Sequence, residues 1–202
     1  MTNEKNANKI KKIVLAAGES NRFGDKNKLS EMINNKPIIN HVLDTLFEIF
    51  DYSELIVIVG HEHKLIKNLI FNKDVKILKN IDYKKGIGTS IALGVSYLER
   101  DIDGVMIIPA DMPYLNSEDL FNLEKKFIEL NCKKVIVPEH KSRIGNPVIL
   151  PRNYFKILRS LKNDFGARSL IKKKDIITFK TGFGTIFDID TRDDLTEPKT
   201  NF

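Results

Sequence analysis

The sequence predicts an α/β protein built on a mostly parallel sheet with helices on both faces. Three observations predict it. Apolar runs such as Ile13-Val14-Leu15-Ala16, Leu55-Ile56-Val57-Ile58-Val59 and Val105-Met106-Ile107-Ile108 show no polar alternation, as in strands buried on both faces. Segments with helical spacing stand between those runs. Gly18, Gly60, Asp111 and Asp190 fall at or near the carboxyl ends of strands, where open sheets of this kind bind ligands.

The elements follow in order. Residues 12–16 read as a strand. Pro37 to Phe50 reads as an amphipathic helix, with Ile38, Ile39, Val42, Leu46 and Phe50 on one face. A strand at 55–59, a helix over 62–71 and a short strand at 75–78 come next. Gly88 to Arg100 reads as a helix and 104–108 as a strand stopped by Pro109. Asn116 or Ser117 suits the N-cap of a helix carrying Leu120, Leu123, Phe127 and Leu130. Strands follow at 134–137 and 147–150, and Pro151 opens a helix at its first turn, where its missing N–H costs nothing. A short helix at 166–173 and strands at 176–180 and 185–189 complete the pattern. The shorter connections after residue 134 predict antiparallel or mixed pairing there. Residues 10–196 are expected to form a single domain, flanked by a flexible N-terminal tail (1–9) and a C-terminal tail (197–202).

The 202 residues suffice for one sizeable core, and an apolar content of 42% is that of an ordinary globular protein. No apolar run approaches the ~20 residues that span a bilayer. The start, Met1 to Asn8, is polar and lacks the apolar stretch of a secretory signal. The lone Cys132 permits no internal disulfide, so a cytoplasmic setting is expected. Lysines are scattered and no aromatic-rich basic stripe accompanies the +6 net charge, which argues against a nucleic-acid partner.

The strand at 12–16 runs into Ala17-Gly18-Glu19-Ser20-Asn21-Arg22-Phe23-Gly24 and a lysine cluster ending at Lys28. A turn rich in backbone N–H groups, beside Arg22 and Lys28, suits a polyphosphate. It is neither a Walker A loop nor a Gly-x-Gly-x-x-Gly fingerprint, which argues against an NAD(P)-binding oxidoreductase. Asp111, at the end of an all-apolar strand, needs solvent or a cation, and a hard oxygen ligand near a nucleotide suits Mg²⁺. Asp188 and Asp190 alternate onto one face, where two carboxylates repel unless a cation or proton intervenes. Asp190 is taken as the second metal ligand, with Asp188 a further candidate. Thr191 with Asp194 resembles a capping pair, which makes Asp193 and Asp194 structural.

Gly86-Ile87-Gly88-Thr89-Ser90 admits two readings, a helix capped by Thr89 or Ser90 and a helix N-terminus facing a nucleotide. Arg143-Ile144-Gly145-Asn146-Pro147 and Asn163-Asp164-Phe165-Gly166-Ala167-Arg168 each set an arginine beside a glycine turn, suited to a second substrate or to a solvated turn. His61 and His63 lack a third ligand at zinc spacing.

These segments together resemble the molybdenum cofactor cytidylyltransferases of the MobA-like NTP transferase group. The resemblance rests on Leu15-Ala16-Ala17-Gly18-x-Ser20-x-Arg22-Phe23-Gly24 with Lys28-Leu29; Lys36-Pro37-Ile38; Gly86-x-Gly88-Thr89-Ser90-Ile91; Asp111-Met112-Pro113; Gly145-Asn146-Pro147-Val148; Asp164-Phe165-Gly166-Ala167-Arg168; and Asp188-Ile189-Asp190-Thr191. These residues keep the family's order over nearly the whole chain. The first segment is shared by many nucleotidyltransferases. The Gly-Asn-Pro and Asp-x-Gly-Ala-Arg segments, and Ala17, resemble the cytidylyltransferase branch more closely. Three residues rather than the usual two separate Gly24 from Lys28, so Lys26 competes for the phosphate role. Leu29 and the distance to Lys36-Pro37 favour Lys28.

The resemblance implies a Rossmann-like sheet of the nucleotidyltransferase and glycosyltransferase-A type, Mg²⁺, CTP and a molybdopterin-type cofactor as acceptor. It implies transfer of CMP from CTP to the cofactor's phosphate with release of pyrophosphate, and a molybdenum hydroxylase as client. Arg22, Lys28 and Asp111 would be catalytic, and Asp111 and Asp190 would hold the metal. Leu15, Ala16, Ala17, Gly18, Arg22, Lys28, Gly86, Gly88, Thr89 and Ser90 would border the nucleotide, and Arg143, Asn146 and Arg168 the acceptor. Alternatives are a guanylyltransferase of the same cofactor, a nucleotidyltransferase acting on a sugar or alcohol phosphate, and a non-catalytic molybdopterin-binding chaperone.

Overall fold

The computed structural model describes residues 9–24, 26–72, 74–164 and 166–195. The expected tails lie outside these except for Lys9. The chain runs β1 (Ile10–Ala16), β2 (Met32–Ile33), β3 (Lys36–Pro37), α1 (Ile38–Phe47), β4 (Leu55–Val59), α2 (His63–Leu69), β5 (Lys76–Lys79) and α3 (Ile87–Ser96). It continues β6 (Gly104–Pro109), α4 (Ser117–Glu129), β7 (Val135–His140), β8 (Arg143–Ile144), β9 (Val148–Pro151), α5 (Phe155–Leu158) and β10 (Ile176–Lys180).

The main sheet has the order β10-β7-β9-β6-β1-β4-β5, with β8 added on β7. β1 pairs in parallel with both β4 and β6, and β10 with β7. β9 is antiparallel to both of its neighbours, as the shorter connections in that region predict. β2 and β3 form a separate antiparallel ribbon. After β1 the chain builds outward through β4 and β5, then returns to β6 on β1's other side. That reversal opens a crevice at the carboxyl ends of β1 and β6.

Alternation along β1 explains the two-sided core. Val14 and Ala16 pack toward α1, α2 and α4, while Ile13 and Ala17 pack toward α3 and α5. Gly94 lets α3 approach β1, since a Cβ there would lie 2.8 Å from Ile13 Cδ1. Asn116 caps α4 as expected, its side chain accepting from Asp119 N at 2.7 Å. No helix among the described residues is long and apolar enough to cross a membrane.

The boundaries differ from expectation in several places; α1 ends at Phe47, and the short helix expected at 166–173 is a 3-10 turn at Ala167–Leu170. α3 ends at Ser96, because Tyr97 and Leu98 bond back three residues to Gly94 and Val95 and tighten the last turn. Pro151 is the last residue of β9, paired with Gly104, so the following 3-10 turn begins at Arg152. The expected strand at 185–189 is a 3-10 turn (Phe183–Ile186) followed by an extended stretch outside the sheet. Gly184 sits against the Tyr114 carbonyl, where a Cβ would come within 1.8 Å, so this segment packs between the loop after β6 and β7 without adding a strand to the sheet.

Candidate active site

The crevice is a cleft of about 490 Å³. Its floor is the turn after β1. Leu15, Ala17 and Gly18 line it, whereas Ala16 points to the opposite face and is 1% exposed. Gly60 holds the turn closed from below. It sits just past the carboxyl end of β4, so close to the turn that a Cβ would lie 2.8 Å from Ala17 Cβ and 2.7 Å from Tyr83 Cβ. The His61 amide also donates to the Ala17 carbonyl at 3.2 Å.

The loop beyond Gly18 is shaped by Ser20, which adopts a left-handed φ of 56°. Its carbonyl accepts from Phe23 N at 2.8 Å and its hydroxyl from Lys28 N at 3.2 Å. Phe23 is buried and anchors the loop in the core. Asn27 caps the 3-10 turn Lys28–Ser30 by accepting from Leu29 N at 3.1 Å. The Lys28 backbone is thereby fixed and its ammonium points to the acids. Lys26 instead lies outside the cleft wall, with 71% of its side chain exposed and its ammonium 3.9 Å from Glu31.

Asp111 follows β6, whose pairing to β1 is extended by a bond from Ala110 N to the Leu15 carbonyl at 3.1 Å. The late acids arrive through one bond, Ile189 N to the Asp111 carbonyl at 2.9 Å. Phe187 and Ile189 are buried, so Asp188 and Asp190, which alternate with them, turn outward. The expected shared face of Asp188 and Asp190 thus arises without a sheet ladder. Asp190 is steadied by Asp194, whose carboxylate accepts from Asp190 N at 3.1 Å and Thr191 N at 2.7 Å.

Asp111, Asp188 and Asp190 each offer an oxygen within 4.8 Å of the others. Lys28 Nζ lies 2.6 Å from Asp111 Oδ2 and 3.3 Å from Asp190 Oδ1, and Arg22 lies 2.7 Å from Asp190 Oδ2. Burial disfavours the Lys28 ammonium, but Asp111 and Asp190 outweigh it and raise the lysine pKa. The Asp188 pKa is raised first by loss of water around its carboxyl, then by the like charges of Asp111 and Asp190. Asp111 Oδ1 is buried without a hydrogen-bond partner. An all-oxygen donor set with one orphaned carboxylate oxygen fits a hard divalent cation.

The opposite wall comes from Tyr83–Lys85 and the start of α3. Gly86, Ile87 and Ser90 line the cleft; Gly88 and Thr89 do not. Neither Thr89 nor Ser90 is the N-cap. Gly86 takes that place with φ 114°, and a Cβ there would lie 2.5 Å from Asp164 Cα. The first amides of α3 are already used: Gly88 N donates to Asn163 O at 3.0 Å and Ile87 N to Asp164 Oδ1 at 3.4 Å. Thr89 turns to an adjacent hollow, and its hydroxyl and that of Ser90 accept from the Asn80 amide at 2.8 and 2.9 Å. Tyr83 and Asp164 are cleft residues that sequence reasoning did not single out for the site. Their only signal was proximity to the Gly86 segment and membership of the Asp-x-Gly-Ala-Arg run.

Arg143, Asn146 and Arg168 stand off the cleft wall. Arg168 donates to the carbonyl of Gly145 and to Asn146 Oδ1 at 3.2 Å, joining the two late motifs. Its partial burial lowers its pKa. Asn146 N donates to Thr185 O at 2.7 Å, and a Cβ on Gly145 would lie 1.9 Å from that same oxygen. Arg143 is exposed on β8.

A model of the MobA-like NTP transferase domain matches residues 12–177. The chain belongs to that family. As a MobA-like nucleotidyltransferase it has a curated relative in the bifunctional protein GlmU of Thermosipho africanus, 31% identical over 84% of this chain and 36% of that protein. The chain therefore spans little more than a third of that relative's length. A probable molybdenum cofactor guanylyltransferase of Thermococcus sibiricus is 31% identical over 67% of this chain and 65% of its own. Among solved structures, Rv0371c of Mycobacterium tuberculosis superposes with a TM-score of 0.78 at 22% identity, covering 96% of each chain. That likeness shows the α/β fold of this MobA-like chain.

Proposed function

We propose that this nucleotidyltransferase moves CMP from CTP to the terminal phosphate of a molybdopterin-type molybdenum cofactor and releases pyrophosphate. The meeting of Lys28, Asp111 and Asp190 at the mouth of the glycine turn carries the reading. The base follows from the resemblance of Ala17 and the Gly-Asn-Pro and Asp-x-Gly-Ala-Arg segments to the cytidylyltransferase branch. A cytoplasmic setting and a molybdenum hydroxylase client belong to the same reading.

An oxygen of the acceptor phosphate bonds to the α-phosphorus. The bond from that phosphorus to the bridging oxygen breaks, and pyrophosphate leaves with the electron pair. The attacking phosphate is already ionised, so no protein nucleophile or general base is required. Catalysis reduces to positioning and charge stabilisation. The Ala17–Gly18 turn cradles the triphosphate, and Lys28 and Arg22 neutralise it. Leu15, Tyr83, Gly86 and Ser90 border the nucleotide. Asp111 and Asp190, with Asp188 beside them, would hold Mg²⁺, which supplies charge neutralisation and Lewis-acid polarisation at the phosphates. Arg168 serves the acceptor side as a positioning residue, through the Gly145–Asn146 turn.

The test is incubation with the molybdopterin-type cofactor, Mg²⁺ and each of the four triphosphates, read by pyrophosphate release and product mass. The expected result is a CMP adduct formed with one equivalent of pyrophosphate. An adduct with GTP alone moves the reading to a guanylyltransferase. Tight cofactor binding with no nucleotide consumed moves it to a chaperone. The position of Arg143, Asn146 and Arg168 away from the cleft wall favours a second reading, a smaller sugar or alcohol phosphate as acceptor. Those acceptors belong in the same panel.

A further inference from the structure

Resting on that reading, we propose that Lys28 is a built-in competitor of the divalent cation. In the free protein its ammonium neutralises Asp111 and Asp190, so that the ion loads well only when a triphosphate draws the lysine away.

The geometry sets up the competition. A single ammonium sits 2.6 Å from Asp111 Oδ2 and 3.3 Å from Asp190 Oδ1. The second oxygen of Asp190 is taken by Arg22 at 2.7 Å. Those contacts occupy Oδ2 of Asp111 and both oxygens of Asp190, which leaves a cation only Asp111 Oδ1 and the Asp188 carboxylate uncontested. An ion entering beside the ammonium would meet a like charge at contact distance in a cleft partly screened from water. The protein thus carries its own counter-charges where the cation binds.

The lysine is also built to change partner. Its backbone is pinned by the Ser20 hydroxyl and by the Asn27-capped turn, so only the side chain has to move. It lines the cleft beside Gly18, where the reading puts the phosphates. Arg22 is freer still, with 78% of its side chain exposed. A triphosphate offers both cations a more highly charged partner than the carboxylates they leave. The carboxylates are then free for the cation, and by linkage the cation and the triphosphate must strengthen each other's binding equally.

Mn²⁺ alone is the probe, followed by electron paramagnetic resonance, with thermal unfolding in parallel. Lys28→Met should bind Mn²⁺ about tenfold or more tighter than wild type in the absence of nucleotide, within the usual range of coupling between sites. Arg22→Met should gain about two- to threefold, having removed the more solvated partner. Adding Asp111→Asn to Lys28→Met should abolish the gain, and Mn²⁺ should raise the melting temperature of Lys28→Met more than that of wild type. Lys28→Gln carries the same expectation if the Met variant folds poorly. Equal Mn²⁺ affinity in wild type and folded Lys28 variants overturns the competition but leaves the acidic cation site standing. Absence of Mn²⁺ binding in every form, even with CTP present, overturns the cation site and the reading on which this rests.

Discussion

At the start of β1, Lys12 meets Glu54 and Glu124; beyond its end, Lys28 meets Asp111 and Asp190. Both clusters join one lysine to two carboxylates. Lys12 is fully buried, also donates to the Ile10 carbonyl at 3.2 Å and lies 3.8 Å from the centre of the Phe50 ring. Burial raises the Glu124 pKa, with Lys12 opposing. No part of the Lys12 side chain is exposed, so its ammonium is held by protein groups. Lys28 keeps 15% of its side chain exposed, lines a cleft and faces a third carboxylate in Asp188. The same pairing chemistry is locked at one end of the strand and exchangeable at the other. Access to solvent and an excess of acids distinguish a site from a staple.

The largest effect expected is on catalysis. Asp111→Ala should lower pyrophosphate release by about a thousandfold or more, as removal of a group that organises charge at the reacting phosphate does. It removes no core volume, so the melting temperature should stay close to wild type. Near-wild-type turnover would remove Asp111 from the mechanism.

Lys12→Ala tests the other end. Breaking a buried pair leaves two uncompensated carboxylates and should cost about 3–5 kcal/mol in urea unfolding. Lys12→Met should cost less, and the loss should shrink at low pH as Glu124 protonates. The turnover of the folded fraction should not change, because this cluster does not border the cleft. A large loss of kcat in folded Lys12→Met would break the contrast.

Next in size is the register of the phosphate loop. Lys28→Ala should weaken triphosphate binding by about 1.5–3 kcal/mol, the range for a hydrogen bond to a charged group. Lys26→Ala should change it little, since that ammonium faces Glu31 outside the cleft. Titration of each variant with CTP decides between the two, and the reverse order would assign the role to Lys26.

The parts of the molecule legible in the sequence are those set by local pattern. Uninterrupted apolar runs gave the buried strands, and the capping signal of Asn116 gave the start of α4. The glycine turn and the late acids were visible because strand ends and period-two alternation are local rules. Contiguity misled at Ala16, Gly88 and Thr89, which belong to the right segments but face away from the cleft. The cap of α3 was not legible, because Asp164 reaches Ile87 across 77 residues. Arg168 likewise spends its donors on Gly145 and Asn146, a fold-dependent contact that no motif spacing discloses.

The smallest effect concerns the third acid. Asp188 has a raised pKa from loss of water around its carboxyl and from Asp111 and Asp190. A carboxylate raised above its unfolded value destabilises the folded protein when ionised, and that cost disappears as pH falls below the unfolded pKa. Asp188→Asn should therefore raise the melting temperature at pH 7 and change it little at pH 3. Because Asp188 is exposed, solvent screening limits the gain to about 1 kcal/mol or less. Mn²⁺ should reverse the ranking, since the cation stabilises the wild-type acids and finds one fewer in the variant. A gain that is the same at both pH values would mean that like-charge repulsion is absent and that Asp188 stands outside the cluster in solution.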